Sequence, residues 1–318
     1  MYLKSKGPIK PVEPQPLSNK ENKELKVKNW PFSADKISQL LSKEKETHKV
    51  LKLTPDVSIK LVRIPAGEFI MGNKNNITDD IPLRKVRINK AFWMAEVEIT
   101  NAQYNAIIPN HDSRYVDQLW KDHTRPGYPA NLPEQPVIRI SYEDAMEYCR
   151  ILIEKTGEKV TLPTEEQWEW ACRAGSDNEF WFGDLSSDFG KQDNLADVQL
   201  CKMAVSGIDP QPMSKTNFWY RYYNFYPKDE NVNDGNMLQV SSYKYQPNPF
   251  GLYCMHGNIA EWTCSDYSLS STNAANLKVV RGGSYLDRAK FATSYFRKAY
   301  YPWQRVFNVG FRIIIEDK

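Results

Sequence analysis

The sequence predicts a single α+β domain that is irregular and loop-rich. Strand-like runs are separated by long connections rich in Pro, Gly and Asn. From Val50 onward only two segments carry a convincing helical pattern, and no internal repeat divides the chain. The 318 residues are 41% apolar, which is enough for a sizeable core and argues against a disordered chain.

The N-terminal part is expected to stand apart from this domain. Its first residues are mainly Lys, Glu, Pro, Asn and Ser, a composition that favours a flexible tail. Residues 33–48 then predict a short amphipathic helix, with Ser33 as its N-cap and an apolar stripe of Ile37, Leu40 and Leu41. The chain is accordingly divided into a flexible tail (1–30), a short helix with a linker (31–52) and the main domain (53–318).

Two helices are predicted inside the main domain. Residues 142–156 follow Ser141 as N-cap, and residues 164–174 open with Thr164 and two Glu, which suit the positive end of a helix. The residues expected to share the buried face of the first helix are Ala145, Tyr148, Cys149, Leu152 and Ile153. The strand-like runs are 58–65, 85–100, 279–285 and 309–316.

Charge and cysteine content exclude several classes of protein. The chain has 42 Lys+Arg and 39 Asp+Glu, and a net charge of +3 is too small to indicate nucleic-acid binding. No run approaches the roughly 18 apolar residues of a membrane-spanning helix. The five cysteines form no C-x-x-C, and the first residues lack the apolar region of a signal peptide. These features favour a cytoplasmic location unless an export signal has been removed.

An insertion at 201–233 interrupts the pattern and contains FWYRYYNFY at 218–226, with seven aromatic residues in nine. In one interpretation, alternate rings pack into the core. In the other, rings such as Trp219 and Tyr222 form a surface that binds a ligand or partner, because aromatic side chains offer large contact area at low entropic cost.

Seven short motifs occur in a characteristic order across residues 57–316. They are IPAGEFIMG (64–72), EVEITNAQY (96–104), PVIRISYEDAMEYCR (136–150), LPTEEQWEWACRAG (162–175), NPFGLYCMHGNIAEW (248–262), RGGSY (281–285) and GFR (310–312). Together they resemble the formylglycine-generating enzyme family, also called sulfatase-modifying factors. The resemblance implies a fold like an elaborated C-type lectin domain.

Active members of that family oxidise a sulfatase cysteine to formylglycine with molecular oxygen and Cu(I), which two cysteines hold. Soft thiolates suit Cu(I). The resemblance places these cysteines three and eight residues after Ser284, where this chain has Asp287 and Ala292. A carboxylate and a methyl group cannot replace two thiolates, so no copper and no formylglycine generation are expected.

The family also includes iron-dependent sulfoxide synthases with clustered His ligands. Here His48, His111, His123 and His256 are scattered without a metal-ligand spacing, and an iron centre is not expected. His256 is of interest because it lies inside the GLYCMHGN motif.

Calcium is the metal that the resemblance implies, because family members hold Ca²⁺ with oxygen ligands. The first site would use the Asn194 side chain, the Leu195 carbonyl, Asp234 and the Asn236 carbonyl. The second would use the Gly257 and Ile259 carbonyls and the Glu261 carboxylate. The usual Asn or Asp of this second site is Cys254 here, and a thiol is a poor Ca²⁺ ligand. Plain alternatives are an Asx turn at 234–236 and a structural carboxylate at Glu261.

Three functions follow from these observations. The first is a non-catalytic, calcium-stabilised binding or accessory protein whose partner is another protein or a peptide. The second is an active oxidase with a rearranged site, and the third is a lectin-like module that binds carbohydrate or peptide. Ser284, Tyr285 and Asp287 lie beside the family's substrate cleft and are the expected ligand-contacting residues, with Trp219 and Tyr222 from the insertion.

Overall fold

The protein is described by a computed structural model that covers residues 25–28, 30–73, 83–116, 128–196, 242–267 and 276–317. Within these ranges, the helices are α1 (Ala34–Leu41), α2 (Asn101–Asn105), α3 (Tyr142–Thr156) and α4 (Glu165–Arg173). The strands are β1 (His48–Lys52), β2 (Ser58–Ile64), β3 (Gly67–Met71), β4 (Arg84–Ile88), β5 (Phe92–Ala95), β6 (Tyr115–Val116), β7 (Tyr128–Pro129), β8 (Lys159–Thr161), β9 (Ala260–Asp266), β10 (Lys278–Arg281), β11 (Lys298–Tyr300), β12 (Val309–Gly310) and β13 (Ile314–Glu316). The predicted loop-rich α+β architecture is confirmed.

Both helices predicted in the main domain form, and their caps explain where they begin. Ser141 and Thr164 each accept a hydrogen bond from the backbone N–H three residues later and complete a capping box. Helix α3 ends at Gly157, whose left-handed backbone (φ 68°) is suited to glycine. Its buried face is the predicted one except for Ile153, which is 43% exposed at the edge of the stripe.

The N-terminal prediction needs correction at both ends. Helix α1 stops at Leu41 instead of 48, because the following Ser, Lys, Glu and Thr residues offer no apolar side chain to continue the stripe. Ser33 makes no capping hydrogen bond through its side chain. His48–Lys52, predicted as a linker, forms strand β1. Trp30, the last residue of the predicted flexible tail, packs against the main domain, with its ring 6.1 Å from that of Trp170. Residues 1–24 and 29 of the predicted tail lie outside the described residues.

A five-stranded sheet in the order β1-β2-β5-β13-β8 forms one side of the core, and each pair of adjacent strands in it is antiparallel. A second sheet has the order β11-β10-β9-β12, with β12 parallel to β9. The predicted strand run 85–100 is divided into β4 and β5. The short helix α2 follows it and begins with a further capping box, formed by Thr100 and Gln103. No helix in the described ranges is long and apolar enough to cross a membrane.

Tight packing explains two of the motif glycines. A Cβ atom on Gly67 would lie 2.6 Å from the Trp170 ring, so only glycine fits there. Gly283 has a left-handed backbone (φ 73°), and a Cβ atom on it would lie 2.7 Å from the Cβ of Ala292. The second glycine therefore brings the RGGSY turn directly against the segment that contains Ala292.

Candidate functional site

Asp287, at the first expected copper-ligand position, is held in a network of hydrogen bonds. One carboxylate oxygen accepts from the Ser284 hydroxyl at 2.7 Å, and the other accepts from Lys298 Nζ at 2.6 Å. Asn308 Nδ2 donates to the same Ser284 hydroxyl at 2.9 Å. The Ser284 hydroxyl therefore donates to Asp287 and accepts from Asn308, an arrangement that fixes it in place rather than activating it as a nucleophile.

Ala292, at the second expected position, is fully buried at the end of a 3₁₀ turn, Ala289–Phe291. Its carbonyl lies 2.8 Å from Nδ1 of His256. His256 Nε2 accepts a hydrogen bond from the Trp181 backbone N–H at 3.2 Å, which makes Nδ1 the protonated nitrogen and donor to Ala292. Burial lowers the pKa of His256 to about 3, so the ring is neutral and ties two loops together.

The described cysteines are poorly placed to supply a reactive thiolate. Cys149, Cys172 and Cys254 are buried, and Cys264 is partly buried. Burial raises the pKa of all four thiols. Cys172 Sγ lies 3.4 Å from His256 Nε2, but that nitrogen is neutral and already accepts from Trp181.

Tyr285 is also buried, so it does not line an open cleft. Its backbone N–H donates to the Asn258 carbonyl at 3.0 Å. Burial raises the pKa of its hydroxyl, which has no hydrogen-bond partner among the described residues. Of the three residues expected to contact a ligand, Ser284 and Tyr285 are 0% and 1% exposed, and Asp287 is partly exposed.

The described half of the first predicted calcium site is a rigid, buried set of polar groups. Asn194 Nδ2 donates to Asn258 Oδ1 at 3.1 Å, and the Asn258 backbone N–H donates to the Asn194 carbonyl at 2.7 Å. A Cβ atom on Gly257 would lie 2.3 Å from that carbonyl, so the close approach requires glycine. Asp234 and Asn236 lie outside the described residues, as do Trp219 and Tyr222.

Two buried carboxyl groups adjoin this set, and the sequence analysis did not find them. Glu98 accepts from the Ser242 hydroxyl at 2.8 Å and from Asn258 Nδ2 at 3.1 Å. Asp193 accepts from the backbone N–H groups of His256 at 2.6 Å and of Asn194 at 3.0 Å. Burial raises the pKa of Glu98 to about 7 and that of Asp193 to about 8. We call Glu98, Asp193, Asn194, Ser242 and Asn258 the carboxyl–amide cluster.

Glu261, predicted for the second calcium site, instead belongs to a core of ion pairs. Arg312 Nη2 donates to it at 2.7 Å, and Trp168 Nε1 donates at 2.8 Å. Arg312 also donates to the carbonyls of Ala95, Glu96 and Tyr253, so its guanidinium is fully engaged. A guanidinium thus occupies the position beside the carboxylate that a cation would need, and the residues of this second site do not fit Ca²⁺.

The other members of this core follow the same pattern. Glu169 pairs with Arg173 at 2.8 Å and with Arg281, and the Gly72 N–H donates to it at 2.9 Å. Burial alone would raise the pKa of Glu169, but the two arginines outweigh it and hold the pKa below its ordinary value. We call Glu169, Glu261, Arg173, Arg281 and Arg312 the ion-pair cluster.

The described surface carries one group of exposed aromatic residues close to arginines. Trp303 and Tyr301 are 64% and 48% exposed, and their rings are nearly parallel at 5.9 Å. They precede Arg305, which lines a surface pocket of about 610 Å³ together with Arg114 and Arg139. The sequence patterns predicted an aromatic surface at 218–226 and did not predict the exposed pair Tyr301 and Trp303. The aromatic residues of Tyr301-Pro302-Trp303 could have indicated it.

The family assignment follows from comparison with known proteins. The profile described as "Sulfatase-modifying factor enzyme 1-like domain" matches residues 49–317. The chain belongs to this family. The assignment made from the seven sequence motifs is therefore confirmed.

Several members of the sulfatase-modifying factor family are similar over most of the chain. Formylglycine-generating enzyme of Bos taurus is 25% identical over 311 residues, covering 81% of this chain and 75% of that protein. The enzyme of the same name from Streptomyces coelicolor is 25% identical over 307 residues, covering 79% and 87%. A Bos taurus protein named inactive C-alpha-formylglycine-generating enzyme 2 is 28% identical over 310 residues, covering 82% and 90%.

Solved structures show the same fold. PvdO from Pseudomonas aeruginosa superimposes with a TM-score of 0.61 at 24% identity, covering 86% of this chain and 100% of that chain. Treponema denticola variable protein 1 gives a TM-score of 0.62 at 17% identity, with the same coverage.

Proposed function

We propose that this protein is a non-catalytic binding or accessory protein, built on the formylglycine-generating-enzyme scaffold, that recognises another protein or a peptide. The observation that carries the proposal is the chemistry of the two expected copper positions. Asp287 is a carboxylate engaged by Ser284 and Lys298, and Ala292 is a buried methyl group. Neither is a soft ligand for Cu(I).

The cysteines that the structure describes support this proposal. A thiolate is required both to bind Cu(I) and to act as the redox-active group. All four described thiols have raised pKa values because of burial, so they remain protonated near neutral pH. Among the relatives, one at 28% identity carries the name of an inactive enzyme, which is compatible with loss of the reaction within the family.

We further propose that one Ca²⁺ stabilises the scaffold at Asn194, Leu195, Asp234 and Asn236. Support comes from the described half of the site, where Asn194 and Leu195 are both buried. The Asn194 side chain is held by a hydrogen bond to Asn258, and its backbone by the close approach of Gly257. Calcium prefers such oxygen ligands, and its binding energy would be added to the stability of the folded state. The site would thus be structural, and no chemical step is assigned to the metal.

The experiment that tests the non-catalytic proposal uses a sulfatase-type Cys-x-Pro-x-Arg peptide. The full chain is incubated with the peptide under air with Cu(I), and mass spectrometry monitors the peptide aldehyde. We expect none, whereas the Streptomyces coelicolor formylglycine-generating enzyme serves as the positive control. Aldehyde formed by the wild-type chain would contradict the proposal and favour the alternative of an oxidase with a rearranged site.

A matched variant sharpens this test. Asp287→Cys combined with Ala292→Cys restores thiols at both expected positions, and we expect it to gain Cu(I) binding, measured by metal analysis after gel filtration. The single variant Asp287→Cys is the control, because one thiol cannot provide two-coordinate binding. Copper bound equally by the wild-type chain and the double variant would show that the metal is held elsewhere.

A further inference from the structure

The surface pocket lined by Arg114, Arg139 and Arg305 has an excess of positive charge. Its acidic side chains are Asp112 and Asp144. Arg305 is already paired with Asp144, through two hydrogen bonds of 2.7 and 2.8 Å.

The other two arginines of the pocket form no ion pair among the described residues, although the Asp112 carboxylate is near enough to Arg114 for their charges to interact. Asp112 accepts from the backbone N–H of Arg114 and from Asn131 instead of binding a guanidinium. Arg139 donates only to the carbonyls of Ser113 and Tyr115, at 3.3 and 3.2 Å. The exposed Arg114 guanidinium and the remaining nitrogen of the half-buried Arg139 are therefore available to an anion. Arginine binds carboxylates well because its planar fork can donate two parallel hydrogen bonds.

Exposed aromatic residues flank two of the pocket's arginines in the sequence, with Tyr115 beside Arg114, and Trp303 and Phe307 on either side of Arg305. Tyr115 is 38% exposed, Phe307 is 43% exposed and Trp303 is 64% exposed. The Arg139 backbone N–H donates to the Val306 carbonyl at 3.2 Å, which connects the loop of Trp303 and Phe307 to the pocket. Trp, Tyr and Arg are the residues most enriched in the energetic centres of protein interfaces.

The backbone of the pocket is held in an unusual conformation. Arg114 and Arg139 have left-handed backbones, with φ of 60° and 59°, and so has Asn110, with φ of 69°. This conformation costs non-glycine residues of order 1 kcal/mol each and persists only where the surrounding structure enforces it. Its occurrence at three residues around one pocket indicates that the surrounding structure enforces the backbone of these loops.

We propose that this face binds an acidic, aromatic- or leucine-containing segment of a partner protein. Carboxylate side chains of the segment would contact Arg114 and Arg139, and its apolar side chains would pack on Trp303 and Phe307. The observations that favour an acidic peptide are the two arginines without an ion-pair partner and the exposed aromatic residues of the neighbouring loops. This inference rests on the proposed binding function and specifies its partner by chemical class.

The test is selection of random dodecapeptides displayed on phage against the immobilised full chain. We expect the recovered sequences to be enriched in Asp and Glu together with Leu, Phe or Trp. A synthetic peptide of the enriched sequence is then measured by fluorescence anisotropy. The double variant Arg114→Gln/Arg139→Gln should bind it roughly thirtyfold more weakly. Trp303→Ala should weaken binding about tenfold, and because Trp303 is mostly exposed the melting temperature should not change.

The control is Arg87→Gln, since Arg87 lies on β4 and lines a separate pocket. Enrichment of basic or neutral peptides, or no enrichment, would overturn the acidic-segment proposal. Binding of the protein to sugars on a glycan array, lost in Trp303→Ala and without peptide enrichment, would overturn the proposal in favour of a carbohydrate ligand. None of these outcomes depends on the aldehyde assay, so failure of this inference is distinct from failure of the non-catalytic proposal.

Discussion

Two groups of buried carboxyls lie in the same domain and differ in their partners: one is paired with arginines and the other accepts hydrogen bonds from neutral groups. In the ion-pair cluster, Glu169 and Glu261 are each paired with arginines at almost no exposure to solvent. In the carboxyl–amide cluster, Glu98 and Asp193 are equally buried but receive hydrogen bonds from hydroxyl, amide and backbone N–H groups. No Arg or Lys among the described residues forms an ion pair with either of them.

This difference shows what a buried carboxyl needs in order to remain ionised. An arginine carries a permanent charge, so it compensates the cost of burying the carboxylate and Glu169 keeps a lowered pKa. For Glu98 and Asp193, the more distant charge of Arg312 and the neutral donors compensate only part of that cost, and burial raises both pKa values. In the ion-pair cluster, arginine charges therefore balance the charges of the carboxylates. In the carboxyl–amide cluster, protonation of the carboxyls or a cation bound nearby would be stabilising.

The largest effect should come from breaking an ion pair. Arg312→Met leaves the Glu261 carboxylate buried without its partner and removes donors from the carbonyls of Ala95, Glu96 and Tyr253. We expect the free energy of unfolding to fall by about 3–5 kcal/mol, measured by urea denaturation. The control is Arg150→Met, whose ion pairs with Glu147 and Glu154 lie on the surface of α3 and should contribute little. Equal effects of the two changes would contradict the comparison.

Calcium should have the next largest effect, and only through the first site. At a hundredfold excess over its dissociation constant, Ca²⁺ should raise the free energy of unfolding by about 2.7 kcal/mol. Asp234→Ala should abolish most of this gain, measured as the difference in melting temperature between calcium and chelator. The control Asp188→Ala removes an exposed carboxylate that only accepts from Gly190, and it should keep the gain.

A second variant separates the two clusters. Glu261→Gln should destabilise the protein because it weakens the pairing with Arg312, but it should retain the calcium-dependent gain in full. Loss of that gain in Glu261→Gln, or identical melting temperatures of the wild type with calcium and with chelator, would count against the assignment of calcium to the first site.

The smallest effect, counted per pH unit and per proton, should be the pH dependence of the carboxyl–amide cluster in calcium-free buffer. The folded pKa values of Glu98 and Asp193, about 7 and about 8, lie above those of unfolded carboxyls, so the native state keeps protons that the unfolded state has released. Their contribution to stability is complete below about pH 4 and is lost as the pH rises through the folded pKa values. Between pH 5 and 7 the free energy of unfolding should fall by at most about 1.4 kcal/mol per pH unit for each proton that only the native state retains.

Chemical denaturation at several pH values measures this slope. Glu98→Gln removes one titrating group and should reduce the slope, whereas Glu154→Gln on the exposed surface of α3 should leave it unchanged. A wild-type stability that rises between pH 5 and 7 would show that Glu98 and Asp193 are ionised in the native state, which their raised pKa values do not predict.

The sequence by itself determined the features that depend on neighbouring residues. Helices α3 and α4 begin where Ser141 and Thr164 predict, because a capping hydrogen bond joins groups only three residues apart. Helix α3 ends at Thr156 as predicted, and Gly157 directly after it has the left-handed backbone that glycine favours. The motifs identified the family. Asp287 and Ala292, three and eight residues after Ser284, showed that the two expected copper-binding thiols are absent at those positions. Helix α2 was missed, although its capping box at Thr100 and Gln103 was present in the sequence.

Only the tertiary structure decided how the polar residues are paired and which rings are exposed. Glu261 meets Arg312 from 51 residues away, and Glu98 meets Asn258 from 160 residues away. Sequence spacing contains no information about such contacts, because they form only when separate sheets and loops are brought together. Tyr285 is buried and Trp303 is exposed for the same reason. The environment of a side chain is set by the elements that pack around it, whereas its local backbone is set by residues within a few positions in the chain.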